Sequence, residues 1–214
     1  MRIAGLFNTP PGRINQIGLG AASGLLDVFT VHAVPIFRFQ GNTVTPDLKE
    51  DLPKDAIVID KDPRFVTSLE RLSTEHSNIT ALSQDIYHSL PAIAEQVRKG
   101  EVAPRNLITI LHADPIMIPK IPFFFRSIAR VIDESAELII SVGQGFTDAE
   151  FTARKKLLGK VFKYLESREL TPHRFVLHQT GSVKEQILGS VFGDPFSATY
   201  EILYCVLQKE KIRT

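Results

Sequence analysis

Two aspartates and a run of glycines are the residues of this 214-residue chain whose types and spacing could do chemistry. The glycines are Gly18, Gly20 and Gly24 in "INQIGLGAASG". The acids are Asp60, ending the apolar run "AIVID", and Asp85, ending "NITALSQD". Glycine lets a backbone approach a ligand closely. An ionised carboxylate accepts two hydrogen bonds, which suits the vicinal hydroxyls of a ribose. A second carboxylate can accept from the exocyclic amine of an adenine. One loop and two strand-end acids describe a nucleoside pocket better than a phosphate pocket. Each residue also has a plainer use. A glycine loop alone is a weak signal, and either acid could cap a helix. Asp62 is the better cap for the helix after Asp60, and Ser89 for the helix after Asp85. Both strand-end acids are then left for a ligand.

The elements that must position these residues alternate short apolar runs with longer amphipathic ones. "AIVID", "NITALSQD", "NLITILHADP" and "AELIISVGQG" read as strands. Between them, "PRFVTSLERLSTEH" carries Phe65, Val66, Leu69 and Leu72 at helical spacing. "LPAIAEQVRKG" reads as a helix closed by Gly100, and "PFFFRSIARVIDES" as one with Phe124, Ile128, Val131 and Ile132 on one side. "DAEFTARKKLLGKVFKYLESREL" is the longest helix, with Asp148 as N-cap. "HRFVLHQ" and "TYEILYCVLQKE" are the last two strands. This order predicts one α/β domain over residues 1–214, a mostly parallel sheet with helices on both faces. In such sheets ligands bind at the carboxyl ends of strands, near the point where strand order reverses. Gly18, Gly20, Asp60 and Asp85 would gather there. Residues 34–54 hold three prolines and no sustained period, and read as an insertion. Within them "IFRFQGNTVT" predicts a small hairpin around Gly41-Asn42.

Composition narrows the classes. The net charge of +1 makes no demand for nucleic acid, so a small-molecule substrate is the preferred partner, with a local basic patch left open. The basic segment "ARKKLLGK" reads as the wet face of an amphipathic helix. One cysteine, Cys205, allows no intramolecular disulfide, and it reads as a buried thiol in an apolar strand. No secretory signal or membrane span is read, which predicts a cytoplasmic, soluble protein. No metal-ligand cluster is read, and a homodimer is left open.

"IGLGAASG", "VIDKDPRFVTSLE" and "NITALSQDIY" together resemble the first three motifs of the class I S-adenosylmethionine-dependent methyltransferases. "ILHADPI" is similar to the strand and loop of that family that face the transferable methyl. The resemblance spans about residues 13 to 210. It implies a Rossmann-like three-layer sandwich with a seven-stranded sheet whose last strand runs antiparallel beside the sixth. It implies S-adenosylmethionine as cofactor, held by Gln16, Gly18, Gly20, Asp60, Lys61, Asp85 and Ile86. Asp60 would take the ribose, Asp85 the adenine amine, and Ile86 would lie against the ring. His112 and Asp114 fall where the family does its substrate chemistry, and His112 could act as a base. Two departures stand out. Gln16 occupies a position usually acidic, and Gly18 and Asp60 are 42 positions apart instead of about 20. The 34–54 insertion accounts for the excess. A non-catalytic binding protein of the same fold is the alternative. So is an RNA methyltransferase, since "HADPIMIPK" is similar to the Asp-Pro segment of transfer-RNA guanine methyltransferases. A dinucleotide oxidoreductase is disfavoured. Its glycine spacing would put the third glycine at Ser23, one residue before Gly24.

Overall fold

The structure, a computed structural model, describes residues 11–21, 38–40, 43–45, 53–111, 121–143, 169–170, 173–191 and 194–211. It also describes Ala149, Thr152, Ala153, Lys156, Gly159, Lys160 and Lys163, all helical. Short runs of β-branched and aliphatic residues form the central strands β1 (Asn15–Leu19), β4 (Asp55–Ile59), β5 (Ile79–Leu82) and β6 (Arg105–Ile110). β7 (Ile132–Gly143), β8 (Glu169–Leu170), β9 (His173–Val191) and β10 (Asp194–Lys211) complete the main sheet. Its order is β5-β4-β1-β6-β7-β10-β9-β8. The pairs from β5 to β7 are parallel, whereas β10 runs antiparallel to both β7 and β9. The last long strand is therefore inserted antiparallel beside its predecessor, as the resemblance implies. The two-residue β8 extends the expected seven strands by one at the edge. β2 (Arg38–Gln40) and β3 (Thr43–Thr45) pair as the small hairpin expected around Gly41-Asn42, in a sheet of their own.

Among the described residues, three helices cross between the parallel strands. They are α1 (Val66–Glu75), α2 (Ile86–Lys99) and α3 (Ile121–Val131). The step from β4 through α1 to β5 moves away from β1 in one direction. The steps through α2 to β6 and through α3 to β7 move in the other. Right-handed crossovers therefore put α1 on one face and α2 with α3 on the opposite face. The core divides in the same way. Leu69 and Leu72 of α1 pack on Ala56, Val58 and Ile79. Leu90, Ile93, Ile128 and Val131 pack on Ile17, Ile59 and Ile108. Fully burying each such aliphatic side chain stabilises the fold by about 1.5–3 kcal/mol relative to exposure. Cys205 is 2% exposed within this second cluster, the buried thiol expected.

Three element boundaries differ from the sequence expectation. α2 begins at Ile86, capped by Asp85, and not at Ser89. Ser89 lies inside the helix, where its hydroxyl donates to the Asp85 carbonyl four residues back. Pro91, a natural marker of a helix start, sits in the second turn. It has no N–H for the Tyr87 carbonyl, and both positions lie on the exposed side. α3 stops at Val131, where a helix through Ser135 was expected. Lys209 of β10 donates to the carbonyls of Ala129 and Ile132 at 3.3 and 2.7 Å and satisfies that helix end. β9 runs on past Gln179 to Val191, paired with β10 along its length, where a loop was expected. Among the described residues, no helix is long and apolar enough to cross a membrane.

Candidate functional site

Strand order reverses between β1 and β6, so the loops that leave their carboxyl ends diverge there. Gly18 is the fourth residue of β1 and pairs with Val58 on one side and Thr109 on the other. Paired residues of a parallel sheet share a face, so Gln16, Gly18 and Thr109 lie on the same one. Gln16 is fully buried, and its Nε2 donates to Thr109 Oγ1 at 3.1 Å. Gly18, without a side chain, leaves that diagonal open. Gln16 is thus built into the sheet beneath the loop, tied to a residue 93 positions away.

Above this pair the chain turns sharply. Gly20 has φ 67°, in the left-handed region where a Cβ costs roughly 1–2 kcal/mol. The amides of Gly20 and Ala21 both donate to the Ile59 carbonyl, at 2.9 and 3.1 Å. The loop exit is therefore fastened to the end of β4, one residue before Asp60. The Asp60 amide donates in turn to the Leu82 carbonyl at 3.1 Å, which joins the end of β4 to the end of β5. A chain of backbone hydrogen bonds thus carries Gly20, Asp60 and the residues just before Asp85 to one end of the sheet.

The acids are engaged locally. Asp60 Oδ1 accepts the Asp62 amide at 2.8 Å, so this carboxylate also holds the turn that follows it. Asp62 does cap the short 3-10 turn Pro63–Phe65, as expected. The Arg64 guanidinium, hydrogen-bonded to Asp62, pulls that carboxyl down to about 2. Asp85 Oδ1 accepts the Tyr87 amide at 2.9 Å as the N-cap of α2. Its Oδ2 receives Lys61 Nζ at 3.1 Å. The Tyr87 amide first, and then Lys61, hold the Asp85 carboxyl below its ordinary range. Lys61 therefore bridges the end of β4 to the start of α2.

The structure brings together Gly18, Gly20, Asp60, Lys61 and Asp85 at the carboxyl ends of β1, β4 and β5. Gln16 supports them from below. Ile86 is partly buried and packs against the apolar cluster shared with α2 and α3. His112, Asp114 and Gly24 lie outside the described residues. Thr109 and Tyr87 were not read from the sequence. A hydroxyl in the apolar run "NLITIL" was the available signal for Thr109, and Tyr87 is a 47% exposed aromatic two residues from Asp85. No family model matches the chain, and no curated protein matches it. Among solved structures, the chain is similar to the precorrin 8w decarboxylase of Methanobacterium thermoautotrophicum. Identity is 9%, the match covers 91% of this chain and 83% of that one, and the TM-score is 0.47. It is also similar to the N-methyltransferase NodS of Bradyrhizobium japonicum WM9 bound to S-adenosyl-L-homocysteine. There identity is 12%, coverage 92% and 79%, and the TM-score 0.44. At these values the likeness is one of chain course, and no family membership follows from it.

Proposed function

We propose that this chain is a methyltransferase that uses S-adenosylmethionine, held at the carboxyl ends of β1, β4 and β5. The observation that carries the reading is the antiparallel β10 between β7 and β9. A dinucleotide-binding sheet continues parallel in the order 3-2-1-4-5-6. Here the position after β7 is taken by a reversed strand, the arrangement that the methyltransferase resemblance implies. The residues present suit the cofactor. Gly20 holds a backbone conformation that side chains resist, and two carboxylates stand at neighbouring strand ends.

In this reading the cofactor supplies an electrophilic methyl on a sulfonium. Asp60 accepts from the ribose hydroxyls while its Oδ1 keeps the turn at Asp62. Asp85 accepts from the adenine amine, with Lys61 and the Tyr87 amide fixing the carboxylate. Gly18 and Gly20 let the backbone approach, and Gln16 with Thr109 keeps the floor rigid. Ile86 borders the base. His112 and Asp114 follow β6 in the chain, and His112 would take a proton if the acceptor must lose one. Alignment of acceptor and methyl supplies most of the acceleration. Residues 34–54 are an insertion in a single domain, and their hairpin leaves the main sheet uninterrupted. The near-neutral total charge of +1 makes no demand for a polyanionic acceptor and fits a small molecule.

The test is Asp60→Ala. A charge-assisted hydrogen bond is worth about 1.5–3 kcal/mol, so S-adenosylhomocysteine should bind about tenfold more weakly or worse. Melting should hardly move, because the Asp62 amide can turn to water. Unchanged affinity would reduce Asp60 to a turn residue and remove the ribose site.

A further inference from the structure

Among the described residues of the α-helices and the turn before α1, cations paired with an acid and cations without one are distributed unevenly. On α1, α2 and the turn before α1, five basic side chains meet an acid. Lys61 pairs with Asp85, Arg64 with Asp62 and Arg71 with Glu75, while Arg98 and Lys99 share Glu95. The helical layer over β6, β7 and β9 is different. Arg126 and Arg130 are exposed one turn apart on α3 and make no ion pair among the described residues. Lys156, Lys160 and Lys163 are exposed, helical and likewise unpaired.

These two groups share one side of the molecule. β7 and β9 are both antiparallel to β10 and so parallel to each other. The helix that joins them steps across the sheet in the same direction as α3. A right-handed crossover then puts it in the same layer as α3. At 100° per residue, Ala149, Thr152, Ala153, Lys156, Gly159, Lys160 and Lys163 fall on one helical face, and all are exposed. That face holds three lysines and no acid among its described residues. Lys156 to Lys163 spans about 10 Å along the axis, and Arg126 to Arg130 about 6 Å. Among the described residues no acid stands between these cations, the nearest along the chain being Asp133 and Glu134 just after α3. Like charges in such rows match a linear polyanion of closely spaced charges better than an acidic protein surface, where charge is scattered.

We propose that the outer face of this layer docks the sugar–phosphate backbone of a nucleic acid, through Arg126, Arg130, Lys156, Lys160 and Lys163. The contact is with phosphate and so independent of base sequence. It does not depend on the methyltransferase reading, since a chain that ignores S-adenosylhomocysteine can still bind here.

The experiment follows binding of the full chain to a labelled single-stranded RNA by fluorescence anisotropy, between about 50 and 200 mM salt. Five phosphate contacts predict a log–log slope of about −3.5, at about −0.7 per contact. Lys156→Gln/Lys160→Gln/Lys163→Gln should make the slope shallower by about 2 and weaken binding at every salt. A charge-matched control, Arg71→Gln/Arg98→Gln/Lys99→Gln, should leave the slope near the parent value. All six positions are exposed, and melting curves check that both variants fold. If both triples weaken binding equally, only net charge acts and the docking face is rejected. Absence of RNA binding at low salt rejects it too. So does binding to phosphatidylserine vesicles, lost in the lysine triple, with none to RNA.

Discussion

Asp85 does two separable jobs, and substitution should part them. Its Oδ1 caps α2 through the Tyr87 amide and its Oδ2 receives Lys61. Loss of an N-cap costs about 1 kcal/mol. The ion pair adds little, because the Lys61 side chain is 70% exposed and exposed pairs are worth roughly 0–1 kcal/mol. Asp85→Ala should therefore cost about 1–2 kcal/mol, or about 3–6 °C in melting temperature for a chain of this size. Asp85→Asn keeps an amide oxygen for the cap, and asparagine caps about as well as aspartate. It should melt within about 2 °C of the parent. It nevertheless loses the charged acceptor for an adenine amine, so S-adenosylhomocysteine should bind about tenfold more weakly in both variants. The sign of the pH effect follows from the lowered carboxyl. Asp85 contributes stability that is full above the ordinary value of 3.8 and fades as pH falls below it. Circular-dichroism melts and calorimetric titrations give the two readouts. If Asp85→Asn melts as low as Asp85→Ala, the capping argument fails. If Asp85→Asn binds as the parent does, Asp85 has no part in a nucleoside site.

Two further outcomes concern groups away from the site. Burial, outweighing the pull of Glu75, lowers the pKa of His76, which is 7% exposed at the end of α1. The unfolded chain therefore binds a proton at His76 more readily than the folded one as pH falls through 6.5, so urea stability should fall there, and His76→Gln should flatten that slope. Arg105 is fully buried, with Nη2 2.6 Å from Asp55 Oδ2 and no hydrogen-bond partner for Nη1 among the described residues. Asp55→Ala should cost near the low end of about 3–5 kcal/mol, since Asp55 is partly exposed, whereas Arg105→Met should be neutral or stabilising in urea unfolding.

The central strands were legible because β-branched runs such as "AIVID" are buried on both faces and bounded by polar turns. The placement of Asp60 and Asp85 at one sheet end followed from the strand pattern alone. What escaped was tertiary. The Gln16–Thr109 pair joins residues 93 apart, and nothing local announces it. Asp85 was passed over as a cap because Pro91 imitates a helix start. Strand β9 continues through "GSVKEQILGS", whose polar residues look like a loop until β10 pairs with them. The cationic layer was hidden by the total charge of +1, which sums paired and unpaired side chains alike. Only the fold shows which lysines have acids beside them.

The central claim is that the carboxyl ends of β1, β4 and β5 hold S-adenosylmethionine, and calorimetric titration of the unmodified chain tests it most directly. S-adenosylhomocysteine should bind at one site per chain, and a nicotinamide dinucleotide should give no heat. Saturable binding of the dinucleotide, with no response to S-adenosylhomocysteine, would contradict the account.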